Sequence, residues 1–136
     1  MSFLVDTNVL AEIHKARGSV QVKEWFRAAE PTQIFLSVLV VGEIRQGVER
    51  LRRKDPRQAA RYDAWLARLR SDFADRILPV SEEVAQEWGR LNVPDPLPVV
   101  DGLLAATARV HGLTLVTRNV GDVARTGVAL LNPFLA

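Results

Sequence analysis

The chain has 136 residues, of which 48% are hydrophobic and 25% are charged, which is the balance of one globular domain over residues 1–136. It has no cysteine, which excludes disulfides, zinc–thiolate sites and thiol catalysis. No apolar run reaches the roughly 20 residues that span a bilayer, and the first residues lack the basic start of a signal peptide. We therefore expect a cytoplasmic protein that does not enter a membrane.

The basic residues are mainly arginine, with 15 arginines and three lysines, although the formal net charge is only +2. The planar guanidinium pairs well with phosphate and carboxylate groups. This favours RNA or an acidic peptide as a partner. The codon usage of a GC-rich genome explains the arginine content equally well.

The first half of the chain alternates short apolar runs with helical patterns. Residues 3–5 form a candidate buried strand, and helical patterns follow over residues 9–15 and 20–29. A second strand is predicted over residues 34–36, and Ser37 can cap a helix over residues 38–52.

The second half begins with a strong helix start. Asp55 is a predicted N-cap, Pro56 takes the first helical position, and Gln58 completes a capping box, so a helix is predicted to about Phe73. A minimal strand at residues 77–78 precedes a helix that opens at Ser81. A helix over residues 99–111, a strand over 113–117 and a last strand over 128–131 complete the pattern.

Because the strands are short and helices separate most of them, the sequence predicts an α/β fold. We expect a mostly parallel sheet of four or five strands with helices on both faces. Ligands of such folds bind beyond the carboxyl ends of the strands.

Four acids have positions that suit a binding site, and each also has a structural explanation. Asp6 directly follows the first strand, where it could also cap the next helix. Glu43 lies in an apolar stretch of a helix, where it either binds something or faces solvent. Asp101 lies in a stretch that predicts a buried helix, although the first-turn position alone favours an acid. Asp122 follows the fourth strand and a turn of ordinary turn residues.

Taken together, these acids predict a metal site at one edge of the sheet. Two carboxylates about 5 Å apart repel by roughly 3 kcal/mol at an effective dielectric constant near 20, so a cluster needs a cation. Ligation by oxygen alone selects Mg²⁺ or Mn²⁺, which can activate water against a phosphodiester. His14 and His111 are isolated, and we interpret them as structural.

Five motifs in order resemble those of PIN-domain proteins, and of VapC-type toxins in particular. They are Asp6-Thr7-Asn8, Glu43-Ile44-Arg45-Gln46-Gly47, Asp101-Gly102-Leu103-Leu104-Ala105-Ala106, Thr117-Arg118-Asn119 with Asp122, and Asn132-Pro133-Phe134. The resemblance covers nearly the whole chain. It implies a PIN-like fold and cleavage of RNA that depends on Mg²⁺ or Mn²⁺. It further implies a homodimer and a cognate VapB-like antitoxin whose tail enters the active-site groove.

The resemblance also assigns roles to individual residues. Asp6, Glu43 and Asp101 match the three central metal-binding acids, and Asp122 matches a more variable fourth. Asn8, Thr117 and Asn119 match polar residues that support the acids or the substrate. Val123 follows the fourth acid where the family often has an aromatic residue, which weakens the assignment of Asp122.

Arginines near these motifs could contact RNA phosphates or an acidic stretch of an antitoxin. The candidates are Arg45, Arg50, Arg52, Arg53 and Arg118. The alternative for the segment 45–61 is a solvated helical hairpin.

Two other classes of protein fit the sequence less well. A receiver domain or a haloacid-dehalogenase-like phosphatase could also place an aspartate after the first strand. However, Asn8 occupies the position where the phosphatase has a second aspartate, and Arg118 replaces the lysine of a receiver. The second alternative is a non-catalytic PIN-like module that binds RNA or protein. The complete set of acids argues against it.

Overall fold

The protein is built on a five-stranded parallel sheet with the strand order β3-β2-β1-β4-β5. The structure is a computed structural model, and it describes residues 1–135. The strands are β1 Phe3–Val5, β2 Ile34–Ser37, β3 Ile77–Leu78, β4 Thr114–Val116 and β5 Leu130–Leu131. The central strand β1 pairs with β2 and β4, and Leu4 lies beside both Phe35 and Leu115. The predicted α/β class is confirmed, and all the strands are parallel.

Helices connect these strands. They are α1 Thr7–His14, α2 Val20–Ala28, α3 Val38–Arg52, α4 Pro56–Asp72, α5 Glu82–Leu91, α6 Val99–His111 and α7 Val120–Val123. Short 3-10 turns lie at Pro31–Gln33, Ala124–Thr126 and Pro133–Leu135. Within residues 1–135 no helix is long and apolar enough to cross a membrane.

The helices form two groups on opposite faces of the sheet. Helices α1 to α4 pack against one another, and α5 to α7 form a second group. The chain runs outwards from β1 to β3 and then returns to β4 on the other side of β1. Because parallel crossovers are right-handed, this reversal places the two groups on opposite faces. Fully buried side chains such as Leu4, Val40 and Leu104 fill the space between the layers.

Two local predictions at the starts of helices differ from the structure. Helix α1 begins at Thr7 rather than residue 9, because the Asp6 side chain accepts a hydrogen bond from Thr7 N. The capping box at α4 is wrong in one half. Asp55 accepts from Gln58 N, but Asp55 N already donates to Leu51 O at 2.7 Å and is unavailable to the Gln58 side chain.

The end of the chain also differs from the prediction. Residues 120 and 121, predicted as part of a turn, belong to helix α7, and Asp122 lies in the first turn of that helix. Strand β5 is shorter than predicted, because it begins at Leu130 rather than residue 128.

Candidate active site

The candidate site lies at the carboxyl ends of β1 and β4, on either side of the point where the strand order reverses. Asp6 follows β1, and Thr117 follows β4. Asp6 N donates to Val116 O at 2.9 Å, which extends the pairing of the two strands to the rim of the sheet. In open α/β sheets this crevice is the usual position for a ligand.

Asp6 is the most buried acid of the site, with 6% of its surface exposed. One carboxylate oxygen accepts from Thr7 N at 2.7 Å, and the other accepts from Thr117 Oγ1 at 2.7 Å. Burial raises the pKa of Asp6, while the bonds from Thr117 and Thr7 oppose that rise. Asp6 therefore caps α1 and also belongs to the polar cluster at the rim. Its role as a helix cap and its position in the candidate site are compatible.

Glu43 reaches the same cluster from the middle of α3. Its Oε1 accepts a 2.6 Å hydrogen bond from Thr7 Oγ1. This bond fixes a half-buried carboxylate toward the crevice rather than toward open solvent. The sequence motifs assign no role to Thr7. Its position directly after Asp6, in the first turn of a helix, is the only signal that the sequence offers.

Asp101 lies in the first turn of α6 and is half-buried, whereas the next residue, Gly102, is buried. The expectation of a buried helix is therefore correct for α6 but not for the Asp101 side chain, which lies at its rim. Burial raises the pKa of Asp101, and the negative charges of Asp6, Asp122 and Glu43 raise it further. The charges of the other three acids therefore reach Asp101, so all four lie near one another at this rim of the sheet.

The acids do not form a closed ligand cage. Within residues 1–135 no three His, Cys, Asp or Glu side chains lie close enough together to hold one metal ion directly. This spacing fits Mg²⁺, which commonly keeps several waters and takes only one or two carboxylates from a protein. The all-oxygen set fits Mg²⁺ or Mn²⁺ better than a softer metal. The assignment of Asp6, Glu43, Asp101 and Asp122 as metal ligands stays a prediction.

The three supporting polar residues have different surroundings. Thr117 is buried and donates to Asp6, and it also accepts from Asn119 N at 3.1 Å. Asn8 links the two sides of the crevice, because its Nδ2 lies 3.4 Å from Asp6 and its Oδ1 accepts from Arg118 N. Asn119 contributes its backbone to this network, and its side chain makes no cap for α7.

The candidate contact arginines divide into two groups. Arg45 and Arg52 form ion pairs with Glu49 within α3. Both also pair with Asp63, which joins α3 to α4. Asp63 lies beyond the segment 45–61, and nothing in the sequence pattern pairs it with these arginines. These pairs support the solvated helical hairpin for Arg45 and Arg52.

The other three arginines are exposed: Arg50, Arg53 and Arg118. Arg50 borders a groove beside Glu43. The guanidinium carbon of Arg118 lies 4.3 Å from the centre of the Phe134 ring.

A mainly apolar groove of about 430 Å³ runs from the acids between α1, α3 and α4. Its lining residues are Thr7, Ala11, Glu43, Ile44, Gly47, Val48, Arg50, Leu51, Lys54, Gln58, Tyr62 and Trp65. His14 packs against the two aromatic residues of this lining. Its ring stacks on that of Trp65, with 4.4 Å between the ring centres, and makes an edge contact with the ring of Tyr62. This packing supports the structural interpretation of His14.

Comparisons with known proteins agree on one family. A family model described as PIN domain matches residues 3–127. The chain is similar to Toxin FitB of Neisseria gonorrhoeae, with 30% identity over 136 residues, 96% of this chain and 97% of the relative. It is 26% identical to the VapC ribonuclease Y4jK of Sinorhizobium fredii over 140 residues, 96% of each protein. The crystal structure of FitAcB from Neisseria gonorrhoeae superposes with a TM-score of 0.92 and 30% identity, covering 98% of this chain and 99% of that chain.

Proposed function

The chain belongs to the PIN domain family, and on that premise we propose that it is a metal-dependent endoribonuclease, the toxin of a VapBC-type toxin–antitoxin module. The observation that carries the proposal is the convergence of acids at one rim of the sheet. Thr7 bonds both Asp6 and Glu43 there, and the charges of neighbouring acids raise the pKa of Asp101. A site of this charge requires a cation. A relative of similar length is named a ribonuclease, which supports RNA as the substrate. The protein would act in the cytoplasm.

We assign the ion to Asp6, Glu43 and Asp101, which would hold it partly through water molecules, with Asp122 at the outer edge of the site. Bound Mg²⁺ or Mn²⁺ would supply an activated water and offset charge on the phosphate. Thr117 and Thr7 hold Asp6 and Glu43 in place through their hydroxyl groups. The exposed Asp122 in the first turn of α7 is placed to orient water or a second ion.

This chemistry predicts a particular pair of product ends. Attack by water does not use the 2′-hydroxyl of the RNA as the nucleophile. The products therefore carry a 5′-phosphate and a 3′-hydroxyl. Products that end in a 2′,3′-cyclic phosphate would contradict the mechanism.

The proposal is tested by cleavage of a pool of transfer and ribosomal RNA by protein free of antitoxin. We expect discrete cuts in Mg²⁺ or Mn²⁺ that disappear with a chelator and in Asp6→Asn. Asp72→Asn is the matched control. Asp72 is an exposed acid at the end of α4, on the side of the sheet where the amino ends of the strands lie. Cuts that persist in Asp6→Asn or in chelator would contradict the proposal.

The same experiment tests the alternative, a PIN-like module that binds RNA or protein without cleaving it. Such a module would bind RNA with equal affinity in the wild type and in Asp6→Asn, and neither protein would cut it. Calorimetric titration with Mn²⁺ separates the two functions further, because a metal-dependent nuclease binds the ion and loses affinity for it in Asp6→Asn.

The groove between α1, α3 and α4 is the proposed site for the tail of a cognate VapB-like antitoxin. It is mainly apolar, and Arg50 and Lys54 line it near the acids. Gly47→Gln would fill it, since the added side chain begins in open space. We expect this variant to lose antitoxin affinity and to keep its ribonuclease activity. Gly89→Gln on α5, which also begins in open space, should keep both.

We further propose that the protein is a homodimer, as the family resemblance implies. Light scattering should give twice the chain mass of 15.1 kDa.

Arg50, in the last turn of α3, and Arg53, which directly follows α3, are the better candidates for RNA contacts, because Arg45 and Arg52 already pair with carboxylates. Arg53→Glu should therefore reduce RNA binding more than Arg45→Glu does.

A further inference from the structure

Arg118 has three properties that distinguish it among the arginines of this protein. It directly follows Thr117, whose hydroxyl bonds Asp6, so its backbone lies at the rim that carries the acids. Its backbone N–H donates to Asn8 Oδ1 at 3.3 Å, which fixes the start of its side chain. Its guanidinium carbon lies 4.3 Å from the centre of the Phe134 ring. The side chain is therefore held at both ends although it is exposed.

Apart from the contact with Phe134, the charge of Arg118 has no partner in the part of the chain that the structure describes. Across residues 1–135, none of the ion pairs involves Arg118. Glu12 feels its charge, but Glu12 itself accepts bonds from Ser19 N and Lys15 Nζ. An oriented guanidinium without a carboxylate partner, beside an acidic site, is available for an anion.

Phe134 is also held in place. It lies in the turn Pro133–Leu135, and its backbone N–H donates to Asn132 Oδ1 at 3.0 Å. Its half-buried ring packs against the hydrophobic core. A ring fixed in this way holds the guanidinium plane by a cation–π contact. It therefore reduces the conformational entropy that the Arg118 side chain loses when it binds a ligand.

We propose that Arg118 and Phe134 form a phosphate clamp that binds the RNA backbone beside the scissile bond. Arg118 is the binding residue, since its N–H groups form a fork that matches phosphate oxygens. Phe134 is a positioning residue that acts through Arg118. The inference rests on the proposed function only in naming RNA as the ligand. It explains how a site with four acids can retain a polyanion close to them.

The test is the binding of a fluorescein-labelled single-stranded RNA, followed by anisotropy at several salt concentrations and with a chelator present. Binding is thereby measured without cleavage. We expect Arg118→Gln to weaken binding about tenfold and to reduce the salt slope by about one. Arg70→Gln is the matched control, because Arg70 is exposed in the last turn of α4, which leads to the opposite edge of the sheet. It should change neither quantity.

Phe134 is tested through its dependence on Arg118. Phe134→Leu should weaken binding about threefold in the wild type and have no effect in Arg118→Gln, whereas Phe134→Tyr should restore binding because it keeps the ring. Arg118→Lys should recover only part of the affinity, since lysine has no fork. Thermal unfolding of each variant identifies any loss that comes from instability.

Three results would overturn the clamp. The first is equal binding by Arg118→Gln and Arg70→Gln. The second is no binding by the wild type at about 0.1 mM, the weak end of non-specific binding to nucleic acid. The third is a loss of affinity for the antitoxin alone, which would assign Arg118 to that partner. RNA binding that depends on Arg118, without cleavage in metal, would leave the clamp intact and reject the nuclease.

Discussion

Thr7 Oγ1 donates a 2.6 Å hydrogen bond to Glu43 Oε1, which joins the first turn of α1 to the middle of α3. Thr7 also donates its backbone N–H to Asp6 at 2.7 Å. One residue therefore orients two of the proposed metal ligands. Groups that orient ligands in this way typically change metal affinity or activity by about 10- to 100-fold when they are removed.

We expect Thr7→Val to reduce RNA cleavage by about tenfold and to raise the Mn²⁺ concentration that half-saturates activity, because Glu43 loses its only side-chain donor among the described residues. Valine keeps the branched shape of threonine, and the backbone bond to Asp6 is preserved. Titration of the cleavage rate with Mn²⁺ makes the measurement.

Thr7→Ser is the control, because it keeps the hydroxyl group. Its metal dependence should match that of the wild type. Equal metal dependence in Thr7→Val and Thr7→Ser would show that the bond to Glu43 has no functional role.

Asp101→Asn should stabilise the metal-free protein at pH 7. Burial and three neighbouring acids raise the pKa of Asp101 in the folded state. The folded protein therefore binds this proton more tightly than the unfolded chain, and stability falls as the pH rises through the raised pKa. Asparagine removes the repulsion. A relief of about 1 kcal/mol would raise the melting temperature by about 3 to 5 °C.

Calorimetry in a chelator between pH 4 and pH 8 would test this expectation. The stability of Asp101→Asn should fall less steeply with pH than that of the wild type, and the remaining slope includes Asp6, whose pKa is also raised. A lower melting temperature in Asp101→Asn at pH 7 would indicate that the carboxylate stabilises the fold.

The sheet and the rim of acids could be predicted from the sequence, because both depend on local pattern and chain order. A strand followed by Asp6 and a later strand followed by Thr117 place the two side chains together once the sheet is parallel. The pairing of Arg45 and Arg52 with Asp63 could not be predicted, since Asp63 lies on a different helix. The bond from Thr7 to Glu43 likewise joins residues 36 positions apart. Such contacts depend on how helices pack, which a periodic pattern does not specify.

Thr117→Val should shift the acid limb of the cleavage profile to higher pH. The hydroxyl of Thr117 donates to Asp6 and lowers the pKa of Asp6 against the effect of burial. Without it the carboxylate takes up a proton at higher pH, and a protonated Asp6 cannot bind the ion. This buried oxygen would then keep only the 3.4 Å contact from Asn8 Nδ2, and the loss of the shorter bond should also cost about 1 kcal/mol of stability.

The measurement is the cleavage rate of Thr117→Val between pH 5 and pH 8, compared with that of Thr117→Ser. Serine keeps the donor, so its acid limb should coincide with that of the wild type. An identical acid limb in all three proteins would mean that Asp6 is not the group that titrates.

Two glycine substitutions on neighbouring helices should differ in their effect on stability. A Cβ added at Gly102 would lie 3.2 Å from the Trp88 side chain and 3.3 Å from Leu97 Cβ, at the packed junction of α5 and α6. Such overpacking costs about 1 to 3 kcal/mol, whereas the gain in helix propensity from glycine to alanine is about 1 kcal/mol. Gly102→Ala should therefore destabilise the protein or leave its stability unchanged.

Gly89→Ala on α5 is the matched substitution, because the added Cβ meets nothing within 4 Å. The gain in propensity is then unopposed, and the free energy of unfolding should rise by about 0.5 to 1 kcal/mol. Urea unfolding of both variants measures the difference.

Because Gly102 adjoins Asp101, a shift of α6 should also lower the cleavage rate of Gly102→Ala, while Gly89→Ala keeps the rate of the wild type. Equal stabilisation by the two substitutions would show that the junction of α5 and α6 beside Asp101 has space for an added methyl group. The junction would then not fix the position of that acid.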